Sequence, residues 1–76
     1  MPHVVVKLWP GPTEEQKSQL AERIVNDIIA TLGSKEASIS VAIEEVDPNA
    51  WTEQVYAPEI APNLAKLYRK PGYGPA

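Results

Sequence analysis

Two β-branched, apolar runs on either side of one capped amphipathic stretch leave this chain few ways to fold. The first run, His3-Val4-Val5-Val6-Lys7-Leu8-Trp9, reads as a strand apolar enough to predict burial on both faces. The second, residues 38–46, alternates Ile39, Val41 and Ile43 against Ser40, Ala42 and Glu44, the period of a strand with one apolar and one mixed face. Between them, Pro10-Gly11-Pro12 ends the first strand, since neither proline can donate to a ladder. Thr13-Glu14-Glu15-Gln16 then has the capping-box form that starts a helix. Leu20, Ala21, Ile24, Val25, Ile28, Ile29 and Leu32 recur at spacings of three and four. They form one broad apolar stripe and leave Lys17, Glu22, Arg23, Asn26 and Asp27 predicted mostly to face water. Gly33 supplies the left-handed position that stops the helix. Strand, helix of roughly 18 residues and strand predict a βαβ unit whose two strands run parallel with a right-handed crossover.

Beyond the second strand, Asp47-Pro48-Asn49-Ala50 reads as a turn that also resembles a helix N-terminus. Residues 51–56 read as a short helical piece interrupted by Pro58. Pro62 opens a last helix through Leu64, Leu67 and Tyr68 that closes at Arg69-Lys70, where basic side chains meet the negative helix end. The tail from Pro71 to Ala76 cannot continue a helix, and Tyr73 within it is available as an aromatic anchor on a partner subunit. With 76 residues the chain is expected to be a single domain, 1–76, whose lone pair of strands needs more partners to be stable. No cysteine is present and His3 is the one imidazole, which excludes disulfide staples, argues against a zinc site and leaves self-association as the expected staple. A net charge of −3 offers no basic face for nucleic acid. The sequence holds no span of about 20 apolar residues, so a soluble, cytoplasmic protein without a membrane role is expected.

The inventory of reactive groups is short. There is no cysteine nucleophile, no serine-histidine-aspartate set, no phosphate-cradling glycine loop and no carboxylate cluster with metal spacing, so no metal and no cofactor is expected. Glu44 and Glu45 are adjacent in a strand and point to opposite faces, so they cannot share one site within a subunit. Pro2 remains. Met1 is commonly removed when the second residue is small, and Pro2 then carries a free secondary amine in place of an inert tertiary amide. An α-amine titrates at about 7.7–8.0; an apolar setting or a nearby cation lowers this further, toward the range where a general base works best. A proline in second place is also the ordinary mark of an efficiently processed start.

Pro2, the strand after it, the Thr-Glu-Glu-Gln-Lys helix start and the Ser38-Ile39-Ser40-Val41-Ala42-Ile43 strand together resemble the 4-oxalocrotonate tautomerase family. Glu59-Ile60-Ala61-Pro62 and Lys70-Pro71-Gly72-Tyr73 resemble its subgroup of short enterobacterial proteins of the phenylpyruvate tautomerase type. The resemblance implies an α/β (α+β) fold: a βαβ protomer with C-terminal short helices, paired into a four-stranded sheet as a homodimer, with a hexamer of three dimers possible. It also implies a cofactor-independent keto-enol tautomerase in which processed Pro2 moves a proton on an enol or keto acid. Trp51 matches the aromatic that shapes the family's apolar pocket, and Trp9 matches an apolar lining residue contributed across the subunit interface. Two arginines that grip carboxylates in other members are replaced here by Pro12 and Ser40, which weakens the case for a dicarboxylate. A bulky monocarboxylate such as an aryl enolpyruvate is expected instead, its acid group met by His3, Lys7, a backbone amide or the Ser40 hydroxyl. His3 follows Pro2 and in a strand points to the opposite side, so a structural and a binding reading of it both stay open. Two alternatives stay open: a hydratase or dehalogenase relative using the same amine, and a non-catalytic dimeric scaffold or ligand-binding homologue.

Overall fold

The computed structural model describes residues 1–75; Ala76, the end of the expected non-helical tail, lies outside the described residues. The chain divides into two compact units, Met1–Glu45 and the residues from Val46 onward.

The first unit is the expected βαβ: strand β1 (His3–Leu8), helix α1 (Glu14–Leu32) and strand β2 (Ser40–Glu45), with the strands paired parallel from His3↔Ser40 to Leu8↔Glu45. Helix α1 begins where its cap demands. The Thr13 hydroxyl accepts the Gln16 amide at 3.1 Å while the Gln16 side chain accepts the Thr13 amide at 2.9 Å. Two N–H groups that the first turn would otherwise orphan are thereby satisfied. Thr13→Ala removes the acceptor at one end of this exchange and is expected to lower stability by about 1 kcal/mol; a lower urea midpoint at unchanged slope would show it. At the other end Gly33 adopts φ 70° and donates its N–H to the Ile29 carbonyl at 3.0 Å, a conformation that needs no Cβ.

Ala21, Ile24, Val25, Ile28 and Ile29 form the half-buried stripe of α1, whereas Leu20 and Leu32 lie at its margins, 38% and 68% exposed. Lys17 corrects the expectation that it faces water: its side chain is only 17% exposed and reaches Glu14 at 2.8 Å and Glu45 of β2 at 3.4 Å. The reason is periodic. Residue 17 precedes Ala21 by four and Ile24 by seven and so falls on the stripe, where carboxylates satisfy the ammonium. The hydrogen bond to Glu14, followed by that to Glu45 and the two charges, raises the Lys17 pKa above its ordinary 10.5. A raised lysine pKa contributes stability that is fully present below 10.5 and lost as pH climbs through the raised value. The stability difference between the wild type and Lys17→Gln, followed by urea midpoint, is therefore expected to hold from neutral pH to about 10 and to shrink above it.

Because Glu45 meets α1, strand alternation puts Val41, Ile43, Val4, Val6 and Leu8 on the face that α1 covers. His3, Val5, Lys7, Ser40, Ala42 and Glu44 occupy the other. Burial of β1 on both faces is thus not met within one chain: Val5 is 45% exposed, since α1 is a layer on one side only. Both strands are also shorter than expected. β1 ends at Leu8 because β2 offers no partner beyond Glu45, which leaves Trp9 outside the ladder. β2 starts at Ser40 because residues Glu36–Ser38 close a 3₁₀ turn, with the Ser38 hydroxyl and amide donating to the Lys35 carbonyl at 2.7 and 2.9 Å.

In the second unit, Asp47 caps a 3₁₀ turn (Pro48–Ala50), its carboxylate accepting the Asn49 amide at 2.8 Å. A π-helix follows over Thr52–Ile60 and runs through Pro58, which was expected to break it. The wider π turn bonds each amide five residues back, easing the clash of the proline ring with the carbonyl four residues back that bars it from an α-helix. Val55 and Tyr56 are buried on this helix, 5% and 9% exposed. A 3₁₀ helix over Ala61–Lys66, with Pro62 in its first turn, stops short of the expected Arg69-Lys70 end. Its start has no side-chain cap, and 3₁₀ geometry rarely persists for many residues. Leu67 is already extended and Tyr68 is fully exposed.

Candidate active site

Pro2 is half-buried just ahead of β1, and Met1 before it stands wholly in solvent, 101% exposed. The Pro2 carbonyl accepts the Ser40 amide at 3.1 Å, which ties the chain start to the start of β2. A proline fits there because the position asks for an acceptor and no donor.

Ser40 is the ladder partner of His3, and its Oγ lies 2.5 Å from His3 Nδ1. Either the hydroxyl donates to an unprotonated Nδ1, or a protonated Nδ1 donates to the hydroxyl oxygen. In the first case Nε2 carries the ring proton; in the second Nε2 carries one only in the imidazolium. The pair thus offers Nε2 as a donor when that nitrogen is protonated and as an acceptor in the neutral Nδ1–H tautomer. Sequence reasoning named both residues but not their partnership, which depends on register. The two adjacent carboxylates diverge as expected, Glu45 toward Lys17 and Glu44 to the opposite face. Pro12 is half-buried after Gly11, whose φ of 145° needs a glycine, and Trp9 is 56% exposed ahead of that loop.

In the second unit Trp51 sits at the junction of the capped turn and the π-helix, half-buried. Its indole N–H donates to the Tyr73 hydroxyl oxygen at 3.0 Å. The Tyr73 ring in turn stands 5.9 Å from that of buried Tyr56, tilted by 48°, a favourable aromatic arrangement. Tyr73, considered from sequence as an anchor on a partner, is thus engaged within its own chain. A tyrosine in a proline- and glycine-rich tail was the available signal, but nothing in the sequence pointed to Trp51 as its mate. Among the described residues no cluster of histidine, aspartate and glutamate can hold a metal ion, and no helix is long and apolar enough to cross a membrane.

The βαβ order, with a proline tied to the parallel ladder at its start, coincides with a family match: the model described as tautomerase enzyme covers residues 2–56. The chain belongs to the 4-oxalocrotonate tautomerase family. It is 49% identical over 74 residues to Tautomerase PptA of Klebsiella pneumoniae (strain 342), covering 96% of this chain and 97% of that relative. It is 38% identical over 74 residues to a probable tautomerase of Xylella fastidiosa (strain 9a5c), covering 97% and 90%. Among solved structures, DmpI from Helicobacter pylori matches with a TM-score of 0.61 and 45% identity over 63% of this chain and 81% of that one. The 4-oxalocrotonate tautomerase homologue YwhB matches with a TM-score of 0.59 and 41% identity over 60% and 75%. The protein is therefore an isomerase of the tautomerase type with an α+β fold.

Proposed function

We propose that this tautomerase is cofactor-independent and interconverts enol and keto forms of aryl or other bulky monocarboxylic acids, with the amine of Pro2, freed by removal of Met1, as general base. The observation that carries the reading is the setting of Pro2 in a family member. It is half-buried, held through its carbonyl to Ser40, and preceded by a methionine fully open to processing. The secondary amine takes a proton from the enol oxygen or a carbon and returns one at the other centre. Its ring restricts where the nitrogen lone pair can point.

Substrate choice follows from what replaced the arginines. Pro12 can donate nothing, and Ser40 shares its hydroxyl with His3. Recognition of the acid group then falls to the His3–Ser40 pair, whose Nε2, when protonated, can donate to one carboxylate and serves two poorly. Trp9 and Trp51 supply aromatic surface for an aryl group, and with its N–H already spent, Trp51 meets a ligand through its ring. A homodimer is the proposed working unit, with a hexamer also open. The exposure of Val5 on the sheet face opposite α1 supports this, since a second copy would bury it.

The test pairs two measurements on natively expressed protein. Intact mass is expected to show the loss of Met1, and that material is expected to ketonise the enol of phenylpyruvate without added cofactor or metal. Fully active protein that retains Met1 would overturn the proline base. Tight binding of an aryl keto acid without solvent proton exchange at its α-carbon would favour the non-catalytic scaffold, and turnover of a chloroacrylate the dehalogenase relative.

A further inference from the structure

We propose that Tyr73 is a positioning residue for Trp51: by accepting the indole N–H, its hydroxyl oxygen sets the orientation in which Trp51 presents its ring to an aryl substrate. This rests on the reading of Trp51 as a substrate-contacting residue and adds to it a partner that no sequence feature assigned.

Three observations carry it. Indole nitrogen can only donate, so the 3.0 Å contact is Trp51 giving its one hydrogen-bonding proton to Tyr73. A change of rotamer at Trp51 would break that bond, which favours the ring orientation observed. Second, Tyr73 is itself held. Its ring tilts against Tyr56 at 5.9 Å, and Tyr56 is 9% exposed on the π-helix. A side chain at Gly74 would begin 4.0 Å from the Tyr56 hydroxyl, so the tail backbone lies against the same residue. A line of support thus runs from buried Tyr56 through Tyr73 to half-buried Trp51. Third, the support comes from a segment with every reason to fray: residues 71–75 carry two prolines and two glycines and form neither helix nor strand. Yet Pro71 is half-buried and Tyr73 is engaged on two sides. The tail is docked by the contacts that orient the tryptophan.

The experiment compares wild type, Tyr73→Phe, Trp51→Phe and the double variant. The readouts are KM and kcat for phenylpyruvate enol and the NMR position of the Trp51 indole N–H, assigned by its loss in Trp51→Phe. Phenylalanine keeps the ring against Tyr56 and deletes only the accepting oxygen, so the fold is retained. In Tyr73→Phe the indole resonance is expected to move and KM to rise about twofold to tenfold, the range for one lost hydrogen bond. Over the same change kcat should vary by less than about twofold, since substrate placement and not the base has changed. In the Trp51→Phe background the same substitution is expected to change KM no further. An unmoved indole resonance, or an equal rise in KM without Trp51, overturns the positioning role while leaving Trp51 a substrate wall. Unchanged KM in Trp51→Phe itself removes the substrate reading of Trp51, and with it the role assigned to Tyr73.

Discussion

Substituting Pro2 by glutamine is expected to lower kcat/KM for enol ketonisation by about 10²- to 10⁴-fold, the contribution of a positioned general base. A large second residue hinders removal of Met1, so the nitrogen at position 2 stays an amide with no basic lone pair. Pro2→Ala probes a different part of the same argument. It permits processing and leaves a primary amine whose unperturbed pKa, about 7.7–8.0, is still near neutrality, so the expected loss lies at the lower end, about 10²-fold. What alanine removes is the ring. The nitrogen then turns freely about a bond that proline locks, and fewer of its orientations face the substrate. Progress curves of phenylpyruvate enol decay, with intact mass of each variant, separate the two effects. Glutamine and alanine variants both as active as the wild type would exclude the amine as the base. The Ser40 amide bond to the Pro2 carbonyl is made by the backbone and survives either substitution, so the loss should come without a matching loss of stability.

The second large effect concerns the fold. Tyr56→Ala is expected to destabilise the chain by about 3 kcal/mol, at the low end of the range for deleting a buried aromatic ring. Small domains hold only about 5–15 kcal/mol in total. Among the described residues Tyr56 is one of the few buried side chains, with Val46 and Val55, while the α1 stripe is only half-buried. Removing its ring also takes away the surface against which Tyr73 tilts. Tyr56→Phe keeps that surface and is expected to cost less than about 1 kcal/mol. Urea midpoints of the three proteins, compared at one concentration because association would shift them, are expected to show a large drop for alanine and a small one for phenylalanine.

How much of this was legible beforehand divides along physical lines. Capping at Thr13 and Gln16 and the stop at Gly33 were readable because each involves groups within a few residues of one another, whose chemistry allows little else. The apolar stripe was readable in outline, but Lys17 was misplaced. Charge suggested solvent, whereas its phase on the helix and the two carboxylates brought to it decided otherwise. Pro58 was misread for a similar reason. The rule that proline breaks a helix assumes α geometry, and the chain takes a π turn there. Trp9 and the ends of both strands were misjudged by one or two residues, because a strand ends where its partner ends.

The candidate site divides the same way. Pro2 was visible as a reactive group because so few other residues here can do chemistry, and the family resemblance turned it from a processing signal into a base. By itself the sequence determined the order of strand, helix and strand, the boundaries of α1, the lack of thiol or multi-histidine chemistry and the candidacy of Pro2; each follows from residue type and short spacing. Only the tertiary structure decided that His3 and Ser40 pair, that Lys17 turns inward, and that Trp51 gives its N–H to Tyr73. Those contacts join residues 37, 28 and 22 positions apart. They depend on strand register, helix phase and the path of a tail, which local propensity does not encode.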